Sequence, residues 1–118
     1  MTDQDDEPTT PAPPIAALPF APGHILTTRG AADALAAAGI DAAPLLTMHT
    51  AGNYGALPLE DWRANNAKLT RGLRAGGRVL SVYPLPSGAV VWLITEYHTG
   101  GERLAAGNMT TYLTPDEY

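Results

Sequence analysis

His49 is the first side chain in this sequence with obvious reactive potential. It stands just before a glycine-bounded loop in the stretch MHTAGNYG, with Gly52, Asn53, Tyr54 and Gly55 following. An imidazole titrates near neutral pH and can act as a general base, and loop N–H groups can hold an anion. Base catalysis needs partners within hydrogen-bond reach, and the neighbouring sequence supplies none. The competing reading is structural. His49 then ends a helix, where its ring suits the helix dipole and bonds backbone carbonyls, while the glycines allow positive φ. A small hydrolase-like enzyme would instead combine His49 with Asn65 and Glu96. That alternative requires the three to meet in one cleft.

Glu96 and His98 are two residues apart on an expected strand, so they share a face. Such a pair could begin a metal site, with His24 or His49 as third ligand, but three widely spaced histidines make a weak case. Asn65 and Asn66 interrupt the apolar stripe of an expected helix. A buried amide must be satisfied, so this position is either a structural tie or a pocket-lining group that reads a ligand. Arg63, Lys68, Arg71, Arg74 and Arg78 gather five of the seven basic residues in 16 positions. They form either a solvated helix face or a surface for phosphate or an acidic protein. Asn53, Tyr54, Arg63, Arg71, Arg74 and Arg78 are the candidate binding residues. Trp92, between apolar neighbours, is expected in the core. No phosphate-binding glycine loop, zinc motif or Ser-His-Asp pattern stands out, and no cofactor is implied.

These residues must be positioned by a small number of elements. GHILTT (23–28) reads as a short strand, with Thr28 capping a helix that ends at Gly39. Its stripe is Ala31, Ala34, Leu35 and Ala38. Asp41 opens a second helix, in which Pro44 fits the first turn, and which ends near His49. A third helix runs from about Pro58 to Leu73, acidic at its start and basic at its end. RVLSVYPLP and AVVWLITEYH, joined by Ser87-Gly88, form a hairpin, and MTTYLTP is a last strand. Both hairpin strands are apolar on both faces, which predicts a central place in the sheet. The expectation is an α+β fold ordered β-α-α-α-β-β-β, with one antiparallel sheet of about four strands and the helices on one face.

The 118 residues suit one domain. Residues 1–22 hold six prolines, four acids and no base, and read as a flexible acidic arm, with residues 23–118 as the folded domain. Ile15, Leu18 and Phe20 could dock the arm onto a partner or onto the domain itself. The chain carries seven basic and twelve acidic residues, net −5; beyond residue 22 the balance is seven against eight. A nearly neutral domain is a poor general nucleic-acid binder. No cysteine is present, which excludes disulfides, thiolate chemistry and Cys-based zinc sites. With no signal-like N-terminus and no long apolar run, the expectation is a cytoplasmic protein.

The pieces ILTTRGAADAL, HTAGNYG, EDWRANN leading to LTRGLR, RVLSVY, VWLITE and TTYLTPDEY together resemble a family of small bacterial proteins common on plasmids and other mobile elements. Its members are often labelled "plasmid related protein". The resemblance covers most of residues 25–118. This chain differs by its N-terminal arm, by extra residues around Ala75–Gly77 and by a longer link between Glu96 and Thr110. It also carries Asn53 and Tyr54 where the family usually has aspartate and tryptophan. The resemblance implies a mobile-element protein but no defined activity. With no catalytic constellation evident, the leading expectation is a non-enzymatic accessory protein that binds another macromolecule, such as a host or defence protein. A nucleic-acid binder using the Arg63–Arg78 helix is a further alternative.

Overall fold

The structure is a computed structural model that describes residues 17–118. Of the segment expected to be a flexible arm, residues 1–16, Ile15 among them, lie outside the described residues. The described part, 17–22, lies along the domain: Phe20 N–H donates to the Thr50 carbonyl, and Asn108 Nδ2 donates to the Ala21 carbonyl.

The elements run β1 (His24–Thr27), α1 (Arg29–Ala38), α2 (Ala42–Thr50), α3 (Leu59–Arg71), β2 (Arg78–Pro84), β3 (Val90–His98) and β4 (Gly107–Leu113), with short 3₁₀ turns after α3 and β4. This is the expected order of an α+β fold. Local chemistry sets the helix ends. The Thr28 hydroxyl accepts from Ala31 N–H at the start of α1, and Gly39 closes it in the left-handed region at φ 68°. Asp41 occupies the cap position of α2 but makes no side-chain cap bond. Glu60 and Asp61 lie in the first turn of α3, and Lys68 and Arg71 in its last.

The four strands form one sheet in the order β1-β4-β3-β2. Val82 lies opposite Trp92 in the expected hairpin, and Leu93 opposite Tyr112 in the next pair. Two expectations are corrected. The sheet is mixed: β1 runs parallel to β4, because the three helices between β1 and β2 supply the crossover that parallel strands require. The hairpin is also not wholly central, since β2 is an edge strand.

Covering that edge explains why β2 can be apolar. The outward N–H and carbonyl groups of Leu80 and Val82, and the carbonyl of Arg78, have partners. Asn65 Nδ2 donates to the Leu80 carbonyl at 2.8 Å, and Leu80 N–H donates back to Asn65 Oδ1 at 3.3 Å. Val82 N–H donates to the Tyr54 carbonyl, and Ala56 N–H donates to the Val82 carbonyl. Lys68 Nζ donates to the Arg78 carbonyl. The side chain of Asn65 thus takes the place of a neighbouring strand, and the 54–56 loop continues the pairing. The loop can come this close because Gly55 has φ 70° and a Cβ there would collide with the Val82 carbonyl oxygen.

Two buried clusters lie between the helices and the sheet. In one, Ala31, Leu35 and Leu45 pack on Tyr83, Val91, Leu93 and Tyr112. In the other, Tyr54, Trp62 and Leu73 pack on Val79, with Phe20 against them. The C-terminal turn is clasped to α1: the Glu117 carboxylate accepts from Gly30 N–H, Thr114 N–H and the Thr28 and Thr114 hydroxyls. These bonds, led by Thr28, hold its pKa down at about 2.

Two outcomes follow from this architecture. Asn65→Ala strands the Leu80 N–H and carbonyl and lowers stability by about 1–3 kcal/mol in urea denaturation at pH 7; a change within about 0.5 kcal/mol, the usual range for surface substitutions, contradicts the edge-covering role. Glu117→Gln lowers Tm at neutral pH. Since the folded carboxyl titrates below its ordinary value of 4.5, the gap between wild type and variant is full above that pH and closes as pH falls through about 2.

Candidate interaction surface

His49 is fully buried in the last turn of α2, under the edge of the Phe20 ring at a centroid distance of 5.1 Å. Its partners are side-chain hydroxyls, not the backbone carbonyls expected from its place at a helix end. Nδ1 lies 2.6 Å from Ser81 Oγ on β2, and Nε2 lies 2.8 Å from Thr95 Oγ1 on β3. Thr95 Oγ1 is in turn 2.6 Å from Thr110 Oγ1 on β4, which is 2.8 Å from the Pro22 carbonyl oxygen.

That last acceptor fixes every proton in the chain. A carbonyl can only accept, so Thr110 donates to Pro22 and accepts from Thr95. Thr95 has then spent its proton and accepts from His49 Nε2–H. Nδ1 of the neutral ring is left as an acceptor, and Ser81 donates to it. Burial holds the imidazole pKa down to about 3, which agrees with a neutral ring. The helix-dipole argument fails here, because a neutral ring carries no charge for the dipole to favour. Ser81, Thr95 and Thr110 are each fully buried as well. A serine beside an imidazole resembles a nucleophile with its base, but both are sealed from solvent and substrate.

The other groups of the hydrolase-like alternative do not join His49. Asn65 is engaged with the edge of β2. Glu96 is exposed and, being next to Thr95 on β3, points to the opposite face of the sheet. Glu96 and His98 do share a face, yet no group of three His, Cys, Asp or Glu side chains able to hold a metal exists among the described residues. The glycine-bounded loop has little left for an anion. Gly52 and Asn53 N–H groups bond the end of α2, Gly55 N–H bonds Asn53 Oδ1, and Ala56 N–H bonds β2. Tyr54 is fully buried, its hydroxyl donating to Asn66 Oδ1 at 2.9 Å, and the Asn53 carbonyl accepts from the Tyr83 hydroxyl. Of the candidate binding residues, Asn53 and Tyr54 therefore brace the loop.

The basic residues divide. Arg63 and Arg71 are exposed on α3. Arg74 lies over the Tyr97 ring at 5.7 Å, and Arg78 over the Tyr118 ring at 4.8 Å. Arg78 and Lys68 border a groove of about 290 Å³ between α3 and the sheet face turned away from α1 and α2. Leu80, Ile94 and Trp92 line it, with Tyr118 at its mouth. Trp92 is thus a half-buried groove residue and not the core residue expected: strand alternation puts Val91 and Leu93 under the helices and Trp92 on the other side. The Tyr118 ring meets Trp92 edge-on at 5.5 Å and is 59% exposed.

Ser81, Thr95 and Thr110 were not singled out by sequence reasoning. A signal existed for the first two, which are hydroxyl residues within apolar strands, at positions that alternate with the strand's other face.

The buried imidazole has a measurable consequence. Its folded pKa lies below the ordinary 6.5, so the unfolded chain takes up a proton that the folded chain refuses. Stability falls as pH drops below about 6.5, by at most roughly 1.4 kcal/mol per pH unit from this group. His49→Gln is less stable at pH 7 but loses this slope between about pH 6.5 and 5, where most carboxylates remain ionised. Urea titrations across that interval check it; an unchanged slope in the variant contradicts a buried neutral ring.

No protein-family model, curated protein or solved structure matches this chain.

Proposed function

We propose that this is a non-enzymatic accessory protein that binds another protein, and that the groove beside α3 and the adjoining open sheet face are its recognition surface. One observation carries the reading: the side chains best suited to catalysis are used as internal braces or lie on opposite faces, whereas an aromatic and cationic cluster is left at the surface. His49 is sealed and Asn65 is tied to β2. Trp92, Tyr118 and Arg78 line an open groove instead. Aromatic and arginine side chains of this kind are enriched among residues that dominate protein interfaces. The resemblance to plasmid and mobile-element proteins supports a partner in the bacterial host, and binding or inhibiting a defence protein is the form of that role proposed here.

The basic residues support nucleic-acid binding less well. Lys68, Arg74 and Arg78 already contact groups of the domain, and the chain is net negative.

The immobilised full chain retains a specific protein from host lysate in this reading. Trp92→Ala and Tyr118→Ala each reduce that retention at least tenfold, while Ser87→Ala, in the exposed hairpin turn, leaves it unchanged. Retention equal in all four proteins, with folding verified by circular dichroism, refutes the groove as the recognition surface.

A further inference from the structure

The two edges of the sheet are built differently. At β2 the Arg78 carbonyl and the N–H and carbonyl groups of Leu80 and Val82 each have a partner, as described above. At β1 the outward groups have none among the described residues. Thr28 N–H donates to the Tyr112 carbonyl, so backbone alternation turns His24 and Leu26 toward β4 and turns Ile25 and Thr27 outward. All four residues of β1 are exposed, and Ile25 and Leu26 are two of the four large apolar side chains most open to solvent, at 42% and 50%. The strand carries no lysine, internal proline or inward charge of the kind that protects natural edges. The segment before it, 17–22, leads away from this edge, with Leu18 and Phe20 beside Leu69 and Leu73 near the end of α3.

We infer that β1 is a homodimer interface, on which the β1 strand of a second copy pairs antiparallel about a two-fold axis through Leu26. The pairing is self-complementary. Ile25 lies opposite Thr27 of the second copy and Thr27 opposite its Ile25, so all outward N–H and carbonyl groups form four hydrogen bonds. Leu26 meets its own counterpart in the close, non-hydrogen-bonded position. Leu26 pairs with Thr111, on the same face as Trp92 and Ile94, so the two open faces lie side by side on one eight-stranded sheet. The assembly stops at two copies, because each outer edge is then a covered β2. A heterologous strand fits the same backbone but gains neither the matched register nor this closure. A contact of one four-residue strand per copy is small beside stable interfaces, so the dimer dissociates on dilution. This inference is independent of the groove and of what the groove binds.

Sedimentation of the full chain from about 10 μM to 1 mM tests it, together with two variants. The wild type shifts from monomer toward dimer across that range. Ile25→Pro removes an outward N–H while leaving the bonds to β4, and remains monomeric at 1 mM with its Tm little changed. Leu26→Cys introduces the only thiol, placed about 4.5 Å in Cα separation from its mate, and forms an intermolecular disulfide on mild oxidation. Ser87→Cys, in the exposed hairpin turn, does so far more slowly. A wild type monomeric at 1 mM overturns the inference. So does an Ile25→Pro variant that still dimerises, or crosslinking of Leu26→Cys no faster than that of Ser87→Cys.

Discussion

The hydrogen-bonded chain from Ser81 through His49, Thr95 and Thr110 to the Pro22 carbonyl is the constraint on which the rest of the structure depends. It links α2, β2, β3, β4 and the segment before β1, and its four side chains are all fully buried. A buried polar group without a partner costs on the order of 1–3 kcal/mol, so each member must be present for the next to be tolerated. The chain also has a direction, set by a carbonyl that can only accept. That makes the imidazole neutral and gives it one defined tautomer. Apolar contacts alone do not specify register so strictly, whereas here a one-residue slip of β3 would turn Thr95 away from His49.

The same economy governs the sheet edges. Asn65 on α3 offers β2 a donor and an acceptor in the spacing of a peptide group, and Lys68 and the 54–56 loop complete the cover. An apolar edge strand is thereby made safe from pairing with other chains. β1, at the other side, has no such cover among the described residues. The asymmetry is physical information: one edge is closed by Asn65, Lys68 and the 54–56 loop, and the other is left able to pair.

Helices α1 and α2 cover one sheet face only. Trp92, Leu80 and Ile94 are therefore left on the other, partly shielded by Tyr118 and bordered by Arg78 and Lys68. Tyr118 is held there by the turn that Glu117 ties to the start of α1. A helix cap, a C-terminal clasp and the mouth of the groove are thus one connected feature. Two polar residues that looked reactive in isolation, His49 and Asn65, serve inside the domain, whereas Glu96 is left outside.

The sequence by itself determined the elements. Thr28 and Gly39 bound the first helix, acidic and basic residues mark the ends of the third, and Ser87-Gly88 sets the hairpin, because capping, dipole and turn preferences act between residues near each other in the chain. It also marked His49, as an imidazole at a helix end beside a glycine-bounded loop, and Asn65, as an amide interrupting an apolar stripe. Only the tertiary structure decided what they do. The partners of His49 are 32 and 46 residues away in the chain, and those of Asn65 are 15 away, so no local pattern names them. The parallel pairing of β1 with β4, the edge position of β2 and the exposure of Trp92 were likewise not legible. Strand order and the choice of covered face are fixed by how helices and sheet share one core, which is a property of the assembled chain.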